Sequence, residues 1–182
     1  MPRLEVLRTY LEMTDPGQLT PAANPESEAR LERLGACPAS FYRYLYTEVG
    51  RRYHWVDRLP WSDDRIRAHL ADPAISVWLL SVAGAPGGYF ELRGPEDGSV
   101  EIAYFGLLPE FLGRGLGKYL LTAAVREAWA LGARRLWLHT CSLDDPAAMP
   151  NYVRGGFRPF KQETYWVETP AGVEVTHPRT PS

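Results

Sequence analysis

The residues best spaced for chemistry run from Glu101 to Gly117, E-I-A-Y-F-G-L-L-P-E-F-L-G-R-G-L-G. An apolar strand-like run ends in a turn where Gly113, Gly115 and Gly117 alternate, and a helical pattern follows. Without Cβ atoms the backbone there admits a close ligand. The helix that follows aims unpaired N–H groups and the positive end of its dipole at the same place. The combination is an anion site suited to a phosphate or pyrophosphate, so a phosphorylated cofactor is expected. Two common phosphate loops fail on spacing. A P-loop needs G-x-x-x-x-G-K-(S/T), and here Leu112 replaces its first glycine and Tyr119 its hydroxyl residue. A dinucleotide turn needs G-x-G-x-x-G, and Lys118 stands at its third glycine.

Leu112-Gly113-Arg114-Gly115-Leu116-Gly117 resembles instead the pyrophosphate loop (Q/R)-x-x-G-x-(G/A) of the GNAT acyltransferase superfamily, at Gly115 and Gly117, with Leu112 where Gln or Arg is usual. The preceding L-L-P-E-F is similar to that family's strand end and turn. Tyr152-Val153-Arg154-Gly155-Gly156-Phe157 resembles the family's Y-x-x-x-G-F, which closes the second cofactor helix and opens the next strand. The motifs stand in the family's order, and the resemblance covers roughly residues 75 to 160. It implies a mixed α/β fold with a mostly antiparallel central sheet flanked by helices. It also implies acetyl-CoA as co-substrate and transfer of an acetyl group to a primary amine. No metal is expected and, with no covalent nucleophile well placed, direct transfer within a ternary complex is expected.

Carried over residue by residue, the resemblance assigns the pyrophosphate to the backbone from Leu112 to Gly117, with Arg114 and Lys118 as side chains of modest reach. It assigns a backbone donor for the thioester to Leu107 or Leu108. Asp145 stands seven residues before Tyr152, where many relatives carry an Asn against the pantetheine arm. An ionised Asp only accepts hydrogen bonds, and helix capping is the simpler role for it.

Acyl transfer to an amine needs a base for the ammonium, a donor for the developing oxyanion and a proton for the leaving thiolate. Glu101 opens an otherwise apolar strand, at the position that carries the catalytic glutamate in histone-acetylating relatives, and a half-buried carboxyl there would be a stronger base. Glu91, on the neighbouring strand, competes for that role or for contact with the acceptor. Tyr152 matches the family tyrosine beside the sulfur, and a phenol is protonated at neutral pH. Tyr53, His54 and Trp55 lie in a loop between the first two helices, where relatives build the acceptor wall. Rings there would suit an apolar, aromatic or cationic acceptor, or would fill the core. His139 and Cys141 share one face of a strand without further metal-type ligands nearby, which favours a structural role.

Elements must hold these groups in place. A first strand is expected within residues 3–13, a loop over 14–29, and helices over 39–51 and from Ser62 to before Pro73. Strands follow at Ile75–Val82 and Tyr89–Arg93, joined by a turn over Gly84–Gly88, and then at Val100–Leu108. The helix after the glycine turn should reach Leu131, with Gly132 behind it. A strand at Arg135–Thr140, a short helix ending at Gly155 with Pro150 in its first turn, and a last strand or strand pair over Phe157–Val167 complete the order.

At 182 residues the chain suits one domain over 1–168 with a C-terminal tail at 169–182. A net charge of -2 gives no electrostatic case for nucleic acid or an anionic membrane surface. No apolar run is long enough to cross a bilayer, the N-terminus lacks a signal-peptide core, and the 2 cysteines suit reduced thiols, so a cytoplasmic monomer or homodimer is expected. A small-molecule amine is the expected acceptor. A protein amine, or a CoA-binding sensor without turnover, are the alternatives.

Overall fold

A computed structural model describes residues 3–168, so the tail expected at 169–182 lies outside the described residues. The elements in chain order are β1 (Arg3–Met13), β2 (Ala29–Arg33), α1 (Ala39–Gly50), α2 (Asp63–Ala71), β3 (Ile75–Val82), β4 (Ala85–Glu96) and β5 (Ser99–Leu107). They continue with α3 (Leu116–Ala130), β6 (Arg135–Cys141), α4 (Ala148–Gly155) and β7 (Arg158–Glu168). The strands form one seven-stranded sheet in the order β2-β3-β4-β5-β6-β1-β7. Only β5 and β6 run parallel; every other neighbouring pair is antiparallel. The mixed, mostly antiparallel architecture expected from the sequence is therefore the one found.

Side chains alternate across a strand, and helices cover both faces of this sheet. Tyr89 of β4 packs with Tyr42, Leu45 and Val49 of α1 and Ile66 of α2. Its neighbours Phe90 and Leu92 turn the other way, into a larger core with Leu116, Leu120 and Ala124 of α3 and Tyr152 of α4. Helix α2 starts where its cap chemistry dictates. Ser62 Oγ accepts from Arg65 N at 3.2 Å, and Asp63 and Asp64 occupy the first turn. Pro150 falls in the first turn of α4, where its missing N–H costs nothing.

The structure departs from the sequence reading at three places. Strand β2 lies just past a stretch read as loop and was not foreseen. It is a five-residue edge strand paired only with β3, and its burial barely alternates. The turn expected over Gly84–Gly88 is shorter. Ala83 and Gly84, at φ 50° and 82°, make the whole reversal, and Val82 pairs with Ala85. Gly88 lies within β4, where a Cβ would stand 2.6 Å from the Gly106 carbonyl oxygen, so close strand approach requires it. The third departure is the place of β1. It inserts between β6 and β7 and bonds to both, bringing the start of the chain beside the cleft described below.

Candidate active site

The parallel ladder of β5 and β6 joins only Ser99 to Arg135, Val100 to Leu136 and Glu101 to Trp137. Beyond that pair each strand stays bonded on its outer side: β5 to β4 as far as Leu107, and β6 to β1 as far as Cys141. Immediately after Glu101, the β4–β5 register slips between Glu91/Tyr104 and Leu92/Ile102, leaving Ala103 as an extra residue. Such a bulge bends the strand and increases its twist. The inner edges of β5 and β6 therefore part just past Glu101, and a cleft of about 980 Å³ opens between them.

The glycine turn lies at the top of this cleft. Gly113 and Gly115 adopt φ 74° and 78°, a region that L side chains rarely enter. Gly115 is the N-cap of the 15-residue α3 and offers no side-chain cap, so the first-turn N–H groups keep their donors for a ligand. Leu112, Gly113, Gly115, Gly117 and Lys118 all line the cleft. Two neighbours do not. Leu116 is fully buried beneath the loop. Arg114 is drawn away, with Nε and Nη2 each 2.6 Å from the Glu26 carboxylate and its guanidinium 5.1 Å over the Phe111 ring.

The two leucines proposed as backbone donors differ. Leu108 N donates to the Gly87 carbonyl at 2.9 Å, and so is already used. Antiparallel ladders alternate the edge to which each residue's N–H points. With Leu108 bonded toward β4, Leu107 presents its N–H to the opposite edge, which is the cleft side. Leu107 lines the cleft and Leu108 does not.

Glu101 stands at the fork where the strands part and lines the cleft. Burial pushes its carboxyl above the usual range, and Arg93, its cross-strand neighbour, opposes that shift. Tyr152 of α4 reaches the same cleft, its ring edge-on to Phe105 at 6.0 Å and to Phe157 at 6.2 Å. Among the described residues its hydroxyl has no hydrogen-bond partner. Burial, and secondarily the Asp144 carboxylate, push the phenol well above its ordinary value, so it stays protonated.

Asp145 also lines the cleft but is not the cap of α4, as expected from the sequence; the N-cap position is Ala147, and Asp145 Oδ1 holds the preceding turn through Ala147 N at 2.8 Å. Its Oδ2 accepts from the Tyr53 hydroxyl at 3.2 Å, and burial with this carboxylate pushes Tyr53 up to about 12. That bond ties the α1–α2 loop to the start of α4 across the cleft mouth. Tyr53, His54 and Trp55 line the cleft as one wall. Trp55 is wedged against Tyr46 at 5.6 Å and Tyr104 at 4.8 Å, so it serves the core and the wall together.

Glu91 is the site residue that the structure places elsewhere. Its side chain is fully buried on the α1–α2 side and does not line the cleft. Oε2 accepts from the Tyr42 hydroxyl at 2.6 Å and from Arg58 Nη1 at 2.7 Å, and His69 Nε2 lies 2.9 Å from Oε1. A carboxylate buried there does not meet an acceptor in the cleft. It anchors Arg58, which the sequence reading missed. The Arg58 side chain is only 11% exposed, lines the cleft, and lies 4.3 Å over Tyr104 and 4.8 Å over Trp61. The available signal was an apolar-strand glutamate and a loop arginine, which pair only once the sheet forms. His139 and Cys141 both line the cleft, and among the described residues no group of three metal-binding side chains occurs.

The family model for the "Acetyltransferase (GNAT) family" matches residues 40–157. Among solved structures, a GCN5-related N-acetyltransferase from Kribbella flavida superposes with a TM-score of 0.64 at 22% identity, over 93% of this chain and 61% of its own. A GCN5-related N-acetyltransferase from Sphaerobacter thermophilus gives 0.63 at 16% identity, over 96% of this chain and 55% of its own. The chain thus spans little more than half the length of these two neighbours, and at such identities the likeness concerns the fold. A shorter one, an aminoglycoside acetyltransferase from an uncultured soil metagenomic sample in complex with trehalose, gives 0.59 at 14% identity over 72% of this chain and 90% of its own. No curated protein matches the sequence.

Replacing Glu91 with Gln leaves the Arg58 charge buried and unpaired. Stability should fall by about 3 kcal/mol or more, read as a lower urea midpoint. An unchanged midpoint would show that the network does not hold the loop.

Proposed function

The chain belongs to the GNAT acetyltransferase family, and from that premise we propose that it transfers an acetyl group from acetyl-CoA to a primary amine of a small molecule. The observation that carries this reading is the cleft between β5 and β6, with an uncapped helix N-terminus at its top and a buried carboxyl at its fork. The residues present fit the co-substrate. Positive-φ glycines and the first-turn N–H groups of α3 suit its pyrophosphate, Lys118 adds a charge one turn along, and the open inner edge of β5 suits the pantetheine arm. When bound, acetyl-CoA supplies an activated acetyl thioester.

The protein's own groups then divide the work. Leu107 N–H is the proposed donor toward the developing oxyanion. Glu101 takes a proton from the ammonium, directly or through a water, freeing the lone pair that attacks. Tyr152, which stays protonated, is the proposed proton donor to the departing thiolate. Direct transfer is favoured over a covalent relay. Cys141 is the only cleft-lining thiol among the described residues, and burial pushes its pKa up, which keeps thiolate scarce. The wall of Tyr53, Trp55 and Tyr104 supports a small-molecule acceptor over a protein side chain. Thiol release from acetyl-CoA across a panel of amines tests the reading, and CoA binding without turnover on any amine would make the protein a sensor instead.

Glu101→Gln keeps size but removes basicity. Near neutral pH, kcat/KM should drop by roughly a hundredfold. Because burial raises the carboxyl pKa, its basic form fills in at higher pH than for an exposed glutamate. The wild-type acidic limb should therefore lie above the ordinary carboxylate range, and in the variant it should give way to one set by the amine acceptor itself. Raising the pH should partly rescue the variant, since solution then supplies free amine. A variant with an unaltered profile would remove Glu101 from the mechanism.

Tyr152→Phe deletes only a hydroxyl without a partner among the described residues, so folding and CoA affinity should persist. Turnover should fall on the order of ten- to a hundredfold if thiolate protonation limits the rate. Full turnover with a good acceptor would reduce Tyr152 to a packing role.

A further inference from the structure

One cleft-lining cation, on β1, has no role in the mechanism. Arg8 lies on β1, opposite Cys141 of β6 and Glu163 of β7, and lines the cleft. Its Nε is buried without a hydrogen-bond partner. Among the described residues its guanidinium forms no ion pair. The carboxylate nearest by register, Glu163, is taken: it accepts from the Tyr10 hydroxyl at 2.8 Å and lies 2.5 Å from Lys161 Nζ. The Tyr165 ring, 4.6 Å below the Arg8 Cζ, supports the guanidinium plane.

The other arginines and the lysine of the cleft have different settings. Arg58 is neutralised by Glu91, Arg93 faces Glu101 across the strand pair, and Lys118 stands at the phosphate end. Arg8 is thus a positive charge with an unmet buried donor, on the side of the cleft formed by β6 and β1. The buried Nε lacks a partner, and a bound anion would supply one. A planar guanidinium suits carboxylate and phosphate alike through paired N–H donors.

We propose that Arg8 selects amine acceptors that carry an anionic group, a carboxylate or a phosphate, several bonds from the reacting nitrogen. The spacing follows from the register. Glu101 pairs with Trp137, and Arg8 with Cys141, four residues further along β6. At about 3.3 Å per residue that is roughly 13 Å along the sheet, which the two side chains shorten. The acceptor spans from the base at the fork to the arginine on β1. The proposal rests on the acetyltransfer reading above and narrows its acceptor.

The test uses the full chain with acetyl-CoA and matched amines: an ω-amino acid against the alkylamine of equal length, and phosphoethanolamine against ethanolamine. Wild-type kcat/KM should favour the charged member of at least one pair by roughly tenfold or more. Which pair responds tells carboxylate from phosphate. Arg8→Gln should bring the ratio within that pair to about twofold or less, and Arg8→Lys should restore part of it. CoA affinity, measured by calorimetry, should be the same in all three proteins. Wild type without a preference overturns the proposal, as does a preference that survives in Arg8→Gln, or a loss of CoA affinity in the variant, which would give Arg8 to the cofactor. If no amine turns over, the same pairs are titrated into the CoA-bound protein. Binding of the charged member that Arg8→Gln abolishes upholds the anion site while the acetyltransfer reading falls; equal or absent binding overturns both.

Discussion

Beyond Glu101 and Trp137, strands β5 and β6 stop sharing hydrogen bonds while each stays bonded to its outer neighbour. A sheet interior normally leaves no backbone donors free. Here a single extra residue, Ala103, bends β5, and the freed inner edge becomes the floor of a cleft. The glycine turn sits at the end of β5 because the crossover into α3 must climb away from the sheet there. Glu101 sits at the fork because that is the last paired position. Leu107, not Leu108, faces the cleft because ladder bonds alternate and Leu108 is spent on Gly87. A slip of one residue would exchange these assignments.

A second constraint keeps the opened sheet in shape. The loop that supplies Tyr53, His54 and Trp55 has no regular structure of its own and is held by charge and rings. Glu91 gathers Tyr42, Arg58 and His69 around one buried carboxylate, and Arg58 in turn lies on Tyr104 and Trp61. Tyr53 reaches across to Asp145 and closes the other end. Such buried ion pairs add little net stability against apolar packing, but losing one partner is costly. Their value here is positional, since they fix this loop against β4 and β5. The two carboxylates of neighbouring strands thus part in role. Glu91 is locked among donors, while Glu101 meets the cleft with only Arg93 beside it.

Much of this was legible in the sequence where the signal is local. The alternation of Ile75–Val82, the Ser62 cap and the glycine turn with its following helix all report short-range physics, and each element lies where expected within a residue or two. The features that escaped depend on partners distant in the chain. Nothing in Arg3–Met13 says that this strand slots between β6 and β7, so Arg8 could not be placed in the cleft. Alternation alone gave Glu91 and Glu101 equal standing, and only the packing of α1 and α2 over one end of β4 separates them. Arg114 reads as a phosphate side chain until the fold brings Glu26 against it. Gly88 reads as a turn residue until β5 is seen pressed against it.

The proposed cradle for the pyrophosphate of CoA is the α3 N-terminus in this cleft. Gly117 allows a direct test, because it has no positive φ and a Cβ there meets only Leu107 Cδ1 at 3.8 Å, so a side chain can be added without straining the backbone. Calorimetric titration of CoA into the wild type and into Gly117→Glu, with folding checked by thermal denaturation, compares a free cradle with one holding a carboxylate. The variant should be well folded with CoA affinity lowered at least about tenfold, or about 1.4 kcal/mol. Equal affinity in a folded variant, or no CoA binding by the wild type, would contradict the proposed cradle.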